Sequence, residues 1–296
     1  MQNLASMKGV ILAGGTGSRL YPLTEIYSKQ LQAVYDKPMI YYPLTTLIAA
    51  GISEICIIST EHDLGGFERL LKSGNQWGIN LTYIIQPEPK GVADALILSE
   101  HFTGDSNFVL ILGDNIFSGG ADIPNAIENF EDGATIFAYH VPDPKHYGVV
   151  EFGVNLKVIS LEEKPDNPKS NYAIPGIYIF DKKASTIAKS IKPSDRGELE
   201  ITDVNLAYLK RKKLQVHRLS RGFAWLDSGN SESLHDASSY IATIEKRQGI
   251  KIGCPEEAAL VRRFITPEKL RPSIDSMPNC AYKRYIEKVA SEYYEN

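Results

Sequence analysis

Four short apolar runs, at residues 10–13, 55–58, 83–85 and 109–112, are separated by stretches near 40–50, 67–72 and 92–102 whose apolar residues fall at helical spacing. This alternation constrains the first half of the chain more than any other feature. Short continuous apolar runs read as strands buried on both faces, and strands parted by helices imply crossover connections into a parallel sheet covered on each side. Ligands of such sheets sit outside the carboxyl ends of the strands, so the loops after these runs are where chemistry is expected. The predicted class is α/β: a Rossmann-like, mostly parallel sheet flanked by helices.

The loop after the first run reads Gly14-Gly15-Thr16-Gly17-Ser18-Arg19, with Lys29 ten residues further on. Three glycines in four positions allow left-handed backbone and close approach to a ligand, and an arginine fork follows at once. That chemistry suits a polyphosphate. A Walker loop is excluded because Arg19 stands where its second glycine would be needed, and a dinucleotide fingerprint is excluded because its third glycine would fall on Leu20. An ordinary strand-to-loop turn is the competing reading, and Arg19 and Lys29 weigh against it.

A length of 296 residues with 43% apolar and 23% charged residues is enough for one large or two modest domains with a real core. The net charge of −4 argues against a nucleic-acid groove, which neutralises many phosphates and is usually basic. No run of 18 apolar residues exists, so no membrane span is expected. Residues 1–6 are short and uncharged, unlike a secretory leader, and Met7 is a candidate start of the folded part. Three distant cysteines, without a C-x-x-C pair, fit reduced thiols in a cytoplasmic protein, and six histidines without H-x-x-x-H give no zinc site.

Three further places carry candidate chemistry. The fourth run ends in Gly113-Asp114-Asn115, and residues 224–229 form a second apolar stretch ending in Asp227-Ser228-Gly229. Each aspartate is either a ligand for a hard cation beside phosphates or a turn or helix cap. The third run leads into Gln86-Pro87-Glu88-Pro89-Lys90-Gly91, where a glutamine amide can pair with thymine or uracil and Gly91 leaves room for a base; a plain proline-rich turn is the alternative. After residue 141 the pattern changes to a hairpin at 147–152 and 158–165, a strand over 172–181, a helix near 184–191, and the segment 196–204. These offer Tyr147, Gly148, Glu163, Lys164 and Arg196 to a second anionic substrate; Glu163-Lys164 as a weak surface pair is the bland reading. The last third is helical. One helix ends before Gly249, and the stripe Tyr282, Ile286, Val289, Tyr293 packs on its own domain or meets another subunit.

Residues 12–20 with Pro22, Thr24 and Lys29 resemble the signature of the sugar nucleotidyltransferases. The continuation over 28–44, together with 161–165, 196–204, 224–229 and 254–257, is similar to the branch that moves a thymidylyl group onto glucose-1-phosphate. Position by position, the resemblance implies nucleotide contacts at Leu12, Gly14, Gly15, Thr16, Gly17 and Arg19, with Gln86 and Gly91 at the base. It implies sugar-phosphate contacts at Asn115, Tyr147, Gly148, Glu163, Lys164 and Arg196. Arg19, Lys29, Asp114 and Asp227 take the catalytic roles, the two aspartates holding Mg²⁺. The implied substrates are dTTP and glucose-1-phosphate, and the implied state is a homotetramer. The organisation expected is a single domain over 1–296, with a nucleotide-binding half (8–141), a sugar-phosphate half (142–230) and a helical C-terminal region (231–296).

Departures from the family pattern are Gln32-Ala33, Val92, Asp94 and Pro175. The chemistry explains why no base or covalent nucleophile is apparent: the attacking oxygen of a sugar-1-phosphate is already anionic. The reaction needs alignment of two polyanions and relief of charge. Two alternatives remain at this level: a transferase using UTP or CTP, and a non-catalytic nucleotide-sensing module of the same fold.

Overall fold

The computed structural model describes residues 7–15 and 17–294. Thr16, assigned above to the nucleotide loop, lies outside the described residues.

In chain order the strands are β1 (Lys8–Leu12), β2 (Ala33–Val34), β3 (Lys37–Pro38), β4 (Glu54–Ser59), β5 (Asn80–Ile85), β6 (Phe108–Leu112), β7 (Asn115–Ser118), β8 (Ala134–His140), β9 (Gly148–Phe152), β10 (Val158–Glu163), β11 (Tyr172–Ile174), β12 (Ile177–Phe180), β13 (Leu214–Arg218) and β14 (Ala224–Asp227). The α-helices are α1 (Tyr41–Ala49), α2 (Glu61–Leu71), α3 (Asp94–Leu98), α4 (Glu100–Thr103), α5 (Asp122–Glu128), α6 (Ala184–Ala188), α7 (Ile201–Lys210), α8 (Ser231–Gln248), α9 (Pro255–Val261), α10 (Pro267–Asp275) and α11 (Ala281–Tyr294).

One ten-stranded mixed sheet runs β10-β9-β11-β8-β12-β6-β1-β4-β5, with β13 also paired to β8. The four apolar runs become β1, β4, β5 and β6, all mutually parallel, with Val10 flanked by Cys56 and Leu110. Their continuous apolar character has a simple cause. In β1, β4 and β6 successive side chains point to opposite faces and both faces are covered: Val10, Cys56, Ile58 and Leu110 enter one buried cluster, and Ile11, Ile57, Val109 and Ile111 another; β5, at the sheet edge, is only partly buried, and its Ile85 is exposed. Beyond β6 the sheet turns antiparallel through β12, which pairs with β6 and β8.

The run read as one strand over 172–181 is two. It breaks at Pro175-Gly176, so that β11 joins β8 and β9 while β12 joins β6. Proline supplies no donor there, and the Gly176 N–H leaves the ladder to bond the Asn115 Oδ1 at 3.0 Å. The helical stretch near 92–102 likewise divides at Ser99, whose hydroxyl bonds back to the Ala95 carbonyl at 2.7 Å. The hairpin β9/β10 forms as read, with Asn155 and Leu156 left-handed in its connection.

Helix α8 starts from a capping box between Asn230 and Ser233 and stops at Gly249, φ 69°. In α11, Ile286 and Val289 are buried in the chain's own core and Tyr282 reaches Glu256, while Tyr293 remains exposed. Among the described residues no helix is long and apolar enough to cross a membrane.

Candidate active site

Strand β1 ends with the Ala13 N–H on the Ile58 carbonyl (2.7 Å), and the chain then turns through Gly15 (φ 95°) and Gly17 (φ 58°) into a short 3-10 turn at Ser18–Leu20. Gly14 is constrained by its neighbour, because a Cβ there would run into the Gln86 Oε1. A later 3-10 turn, Lys29–Leu31, is capped by the Ser28 side chain, and the Ser28 N–H is held by Asp63 at 3.1 Å. This double anchoring presents Lys29 to Asp114, with which it forms an ion pair.

Two cavities meet at Asp114. One, about 190 Å³, is lined by Leu12, Gly14, Gly15, Lys29, Gln86, Gly91 and Asp114 among others. The second, about 170 Å³, is lined by Arg19, Asp114, Asn115, Tyr147, Gly148, Glu163, Lys164 and Asp227, with Thr202 and Trp225. Val92, Leu112 and Glu198 line both, so the two are halves of one cleft. A larger cavity of about 640 Å³ beside Tyr139, His140, Arg218 and Arg221 touches none of the candidate residues, and the chemistry assigns the site to the smaller pair.

The pairing of β7 with β14 places Asp227 opposite Asn115, and the Ser228 N–H bonds the Asp114 carbonyl at 3.2 Å. Two aspartates 113 residues apart in sequence thus stand side by side. Their protons behave differently. Burial alone would raise the Asp114 carboxyl, but the charge and hydrogen bond of Lys29, with the Asn115 amide at 2.9 Å, outweigh it and hold it below the usual carboxylate range. Asp227 is raised, first by burial and then by the charge of Asp114; Lys29, Arg19 and the Tyr147 hydroxyl only partly offset this. The Tyr147 hydroxyl is pushed up to about 12 by burial and by the Asp227 charge. Two carboxylates that repel each other, one kept ionised, fit a hard dication. Among the described residues no third acidic, histidine or cysteine side chain joins them, and Mg²⁺ needs none, because it binds through one or two carboxylates and keeps water and substrate phosphate as its other ligands.

On the second half of the cleft the Tyr147 ring packs edge-on against Trp225, centroids 4.9 Å apart. Glu163 accepts the Thr202 hydroxyl at 2.5 Å, and Gly148 lies beside both. Lys164 sits in the left-handed region (φ 42°) with its N–H on the Tyr147 carbonyl at 3.0 Å, a strained backbone held where its ammonium faces the cleft.

Some candidates take other roles. The Asn115 side chain, which lines the second cavity, also positions its neighbours: its amide donates to Asp114, and its oxygen accepts from Gly176 and from the Trp225 indole at 2.6 Å. Arg196 does not line the cleft, and its guanidinium is ringed by Glu200 (2.8 Å), Glu163 (3.6 Å) and Glu198 (3.7 Å), which it holds in place. Gly91 lines the first cavity, yet the space where its Cβ would go is filled by the Leu199 backbone, not by a base, and its φ is 101°. Gly17 turns the loop without lining the cleft. Thr202 and Trp225 were not singled out from the sequence, because a helix threonine and a strand tryptophan carry no motif.

The chain matches the family model described as nucleotidyl transferase over residues 8–244. It is 48% identical over 289 residues to the glucose-1-phosphate thymidylyltransferase of Xanthomonas campestris pv. campestris (strain B100), covering 97% of this chain and 98% of that protein. It is 49% identical over 282 residues to the protein of the same name from Mycolicibacterium smegmatis, covering 95% and 98%. Among solved structures, a Bacillus anthracis protein assigned as a glucose-1-phosphate thymidylyltransferase, in complex with sucrose, superposes with a TM-score of 0.74 at 44% identity over 79% of this chain and 94% of that one. A UDP-glucose pyrophosphorylase complexed with UDP-glucose shares the fold at 23% identity, with a TM-score of 0.73 over 81% and 99% of the two chains. The chain belongs to the nucleotidyl transferase family.

Proposed function

We propose that this nucleotidyltransferase moves the thymidylyl group of dTTP onto glucose-1-phosphate, giving dTDP-glucose and pyrophosphate, with Mg²⁺ as cofactor. The observation that carries the reading is the junction of the two cavities at Asp114, with Lys29 on one side and Asp227, Arg19 and Lys164 on the other. Support for the substrates comes from the full-length relatives that bear this name.

The work of the residues follows from charge. The glycine loop and Arg19 receive the triphosphate, and Lys164, which lines the same half of the cleft as Arg19, receives the sugar phosphate. Lys29, released from Asp114 as phosphate arrives, meets the charge that moves onto the leaving group. The anionic sugar-phosphate oxygen forms its bond to the α-phosphorus as the bond to the β-phosphate breaks. Pyrophosphate leaves with that electron pair, and no proton is transferred. Asp114 and Asp227 would hold Mg²⁺, which when bound supplies charge neutralisation to the phosphates. Asn115 keeps Asp114 aimed, and Tyr147 does the same for Asp227. The same reading, from the resemblance, includes a homotetramer, which light scattering would report as the tetramer mass.

Incubation with glucose-1-phosphate, Mg²⁺ and each triphosphate in turn, read as pyrophosphate release, tests the assignment. Fastest release with dTTP is expected; faster release with UTP or CTP overturns the base, and none with any triphosphate overturns the reaction for this sugar.

A further inference from the structure

Gln86 and Asp94 are both buried, 4% and 8% exposed; Gln86 lines the first cavity, and Asp94 touches Gln86 without lining the cavity itself. The Gln86 backbone N–H is fixed on the Ser59 carbonyl at 2.7 Å, and its side-chain Nε2 donates to the Asp94 Oδ2 at 3.0 Å. This second contact decides which way the amide faces. A carboxylate only accepts hydrogen bonds, so the nitrogen of the Gln86 amide must turn toward Asp94 and the carbonyl oxygen must turn away. The oxygen lies against Gly14, where a Cβ would meet it first, and among the described residues no hydrogen bond is donated to it.

We propose that Asp94 is a specificity-determining positioning residue: by locking the Gln86 amide with its oxygen toward the cavity, it makes the site accept bases that carry an N3–H and reject those that do not. The inference rests on the first cavity holding the base of the nucleotide. Thymine and uracil present N3–H, a donor that the fixed oxygen satisfies. Cytosine presents a bare N3, which sets acceptor against acceptor. A free glutamine would rotate its amide to suit either base. The discrimination therefore comes from a residue placed behind the one facing the base, as a buried polar group with no freedom to re-pair.

The test is calorimetric binding of dTTP, dUTP and dCTP to the wild-type protein, Asp94→Asn and Asp94→Ala, without sugar phosphate. Asparagine keeps the shape but can accept from or donate to Gln86, so both amide orientations are satisfied; alanine removes the lock. The wild-type protein is expected to bind dTTP and dUTP about 10-fold or more tightly than dCTP, and both variants to reduce that gap to about 3-fold or less. The dTTP to dUTP ratio stays unchanged throughout, since both carry the same edge. Equal wild-type affinity for all three overturns the proposal. So does a thymine-to-cytosine ratio that the variants leave intact, or a common loss of affinity for every nucleotide, the mark of a merely structural residue. Pyrophosphate release from the same preparations separates the two readings: a shifted binding ratio with no turnover overturns the reaction and leaves this inference standing, whereas no binding of any nucleotide removes both.

Discussion

Replacing Asp227 by asparagine keeps the shape of the side chain and removes its charge beside Asp114. Turnover should fall by about 100-fold or more with the melting temperature unchanged, because the partner carboxylate then faces the dication alone. Unchanged activity across a magnesium titration would refute the metal role. The same carboxyl gives a pH prediction with a definite sign. Its proton affinity is raised, by burial and then by Asp114, so protons compete for it at higher pH than for an ordinary aspartate. As pH falls from neutral, the magnesium needed for half-maximal rate should rise, and it should do so before other carboxylates titrate; a flat requirement down to pH 5 would contradict the assignment. Lys164→Ala should raise KM for glucose-1-phosphate about 10-fold with a smaller change for dTTP, read by steady-state kinetics. Asp114 and Asp227 were legible in the sequence because each ends an apolar run with a glycine within two residues, and Lys29 because it follows the glycine loop and Arg19. Asn115 and Arg196 were not, because what engages them, Trp225 and Gly176 for one and three glutamates for the other, is settled by packing between segments or by local loop shape.

Two contacts between distant elements stabilise the fold around and beyond the cleft. Gly91 joins the loop after β5 to the Leu199 backbone, whose N–H bonds the Lys90 carbonyl at 2.7 Å and whose carbonyl accepts from Ala93 at 3.1 Å. Gly91→Ala would add a Cβ 2.6 Å from the Leu199 oxygen at a φ of 101°, and should cost about 2–4 kcal/mol in denaturant unfolding together with nucleotide affinity. A near-neutral alanine would show that the two segments do not depend on each other. Elsewhere, the β2–β3 hairpin is tied to α8 by a buried ion network: Lys37 bonds Glu245 at 2.9 Å, and Lys251 bonds Glu245 at 2.6 Å and also pairs with Asp36. Lys37→Met strands Glu245 with one cation fewer in a buried setting and should destabilise the fold by about 3 kcal/mol. The parallel strands and α8 could be read directly, since burial on both faces and clear caps write themselves into local sequence. The break at Pro175-Gly176 could not be placed, because it is drawn by Asn115, sixty-one residues away.

At the scale of the whole molecule, the sheet changes from parallel to antiparallel between the two halves of the cleft. The parallel strands β1, β4, β5 and β6 carry the glycine loop, Gln86 and Asp114, while the antiparallel strands from β12 outward carry Tyr147, Glu163 and Lys164. The first half was visible as alternation; the second was only a list of polar residues until β7 and β14 paired and brought Asp227 to Asp114, because strand partners so distant leave no local trace. On the proposed reading the cleft receives two anions, and the sugar phosphate brings its own anionic oxygen, so a single direct displacement at phosphorus is expected. The most direct measurement is the stereochemistry of transfer from a chiral α-thio analogue of dTTP to glucose-1-phosphate. Inversion at the α-phosphorus is the predicted result; retention, or a nucleotidylated enzyme trapped without sugar phosphate, would contradict it.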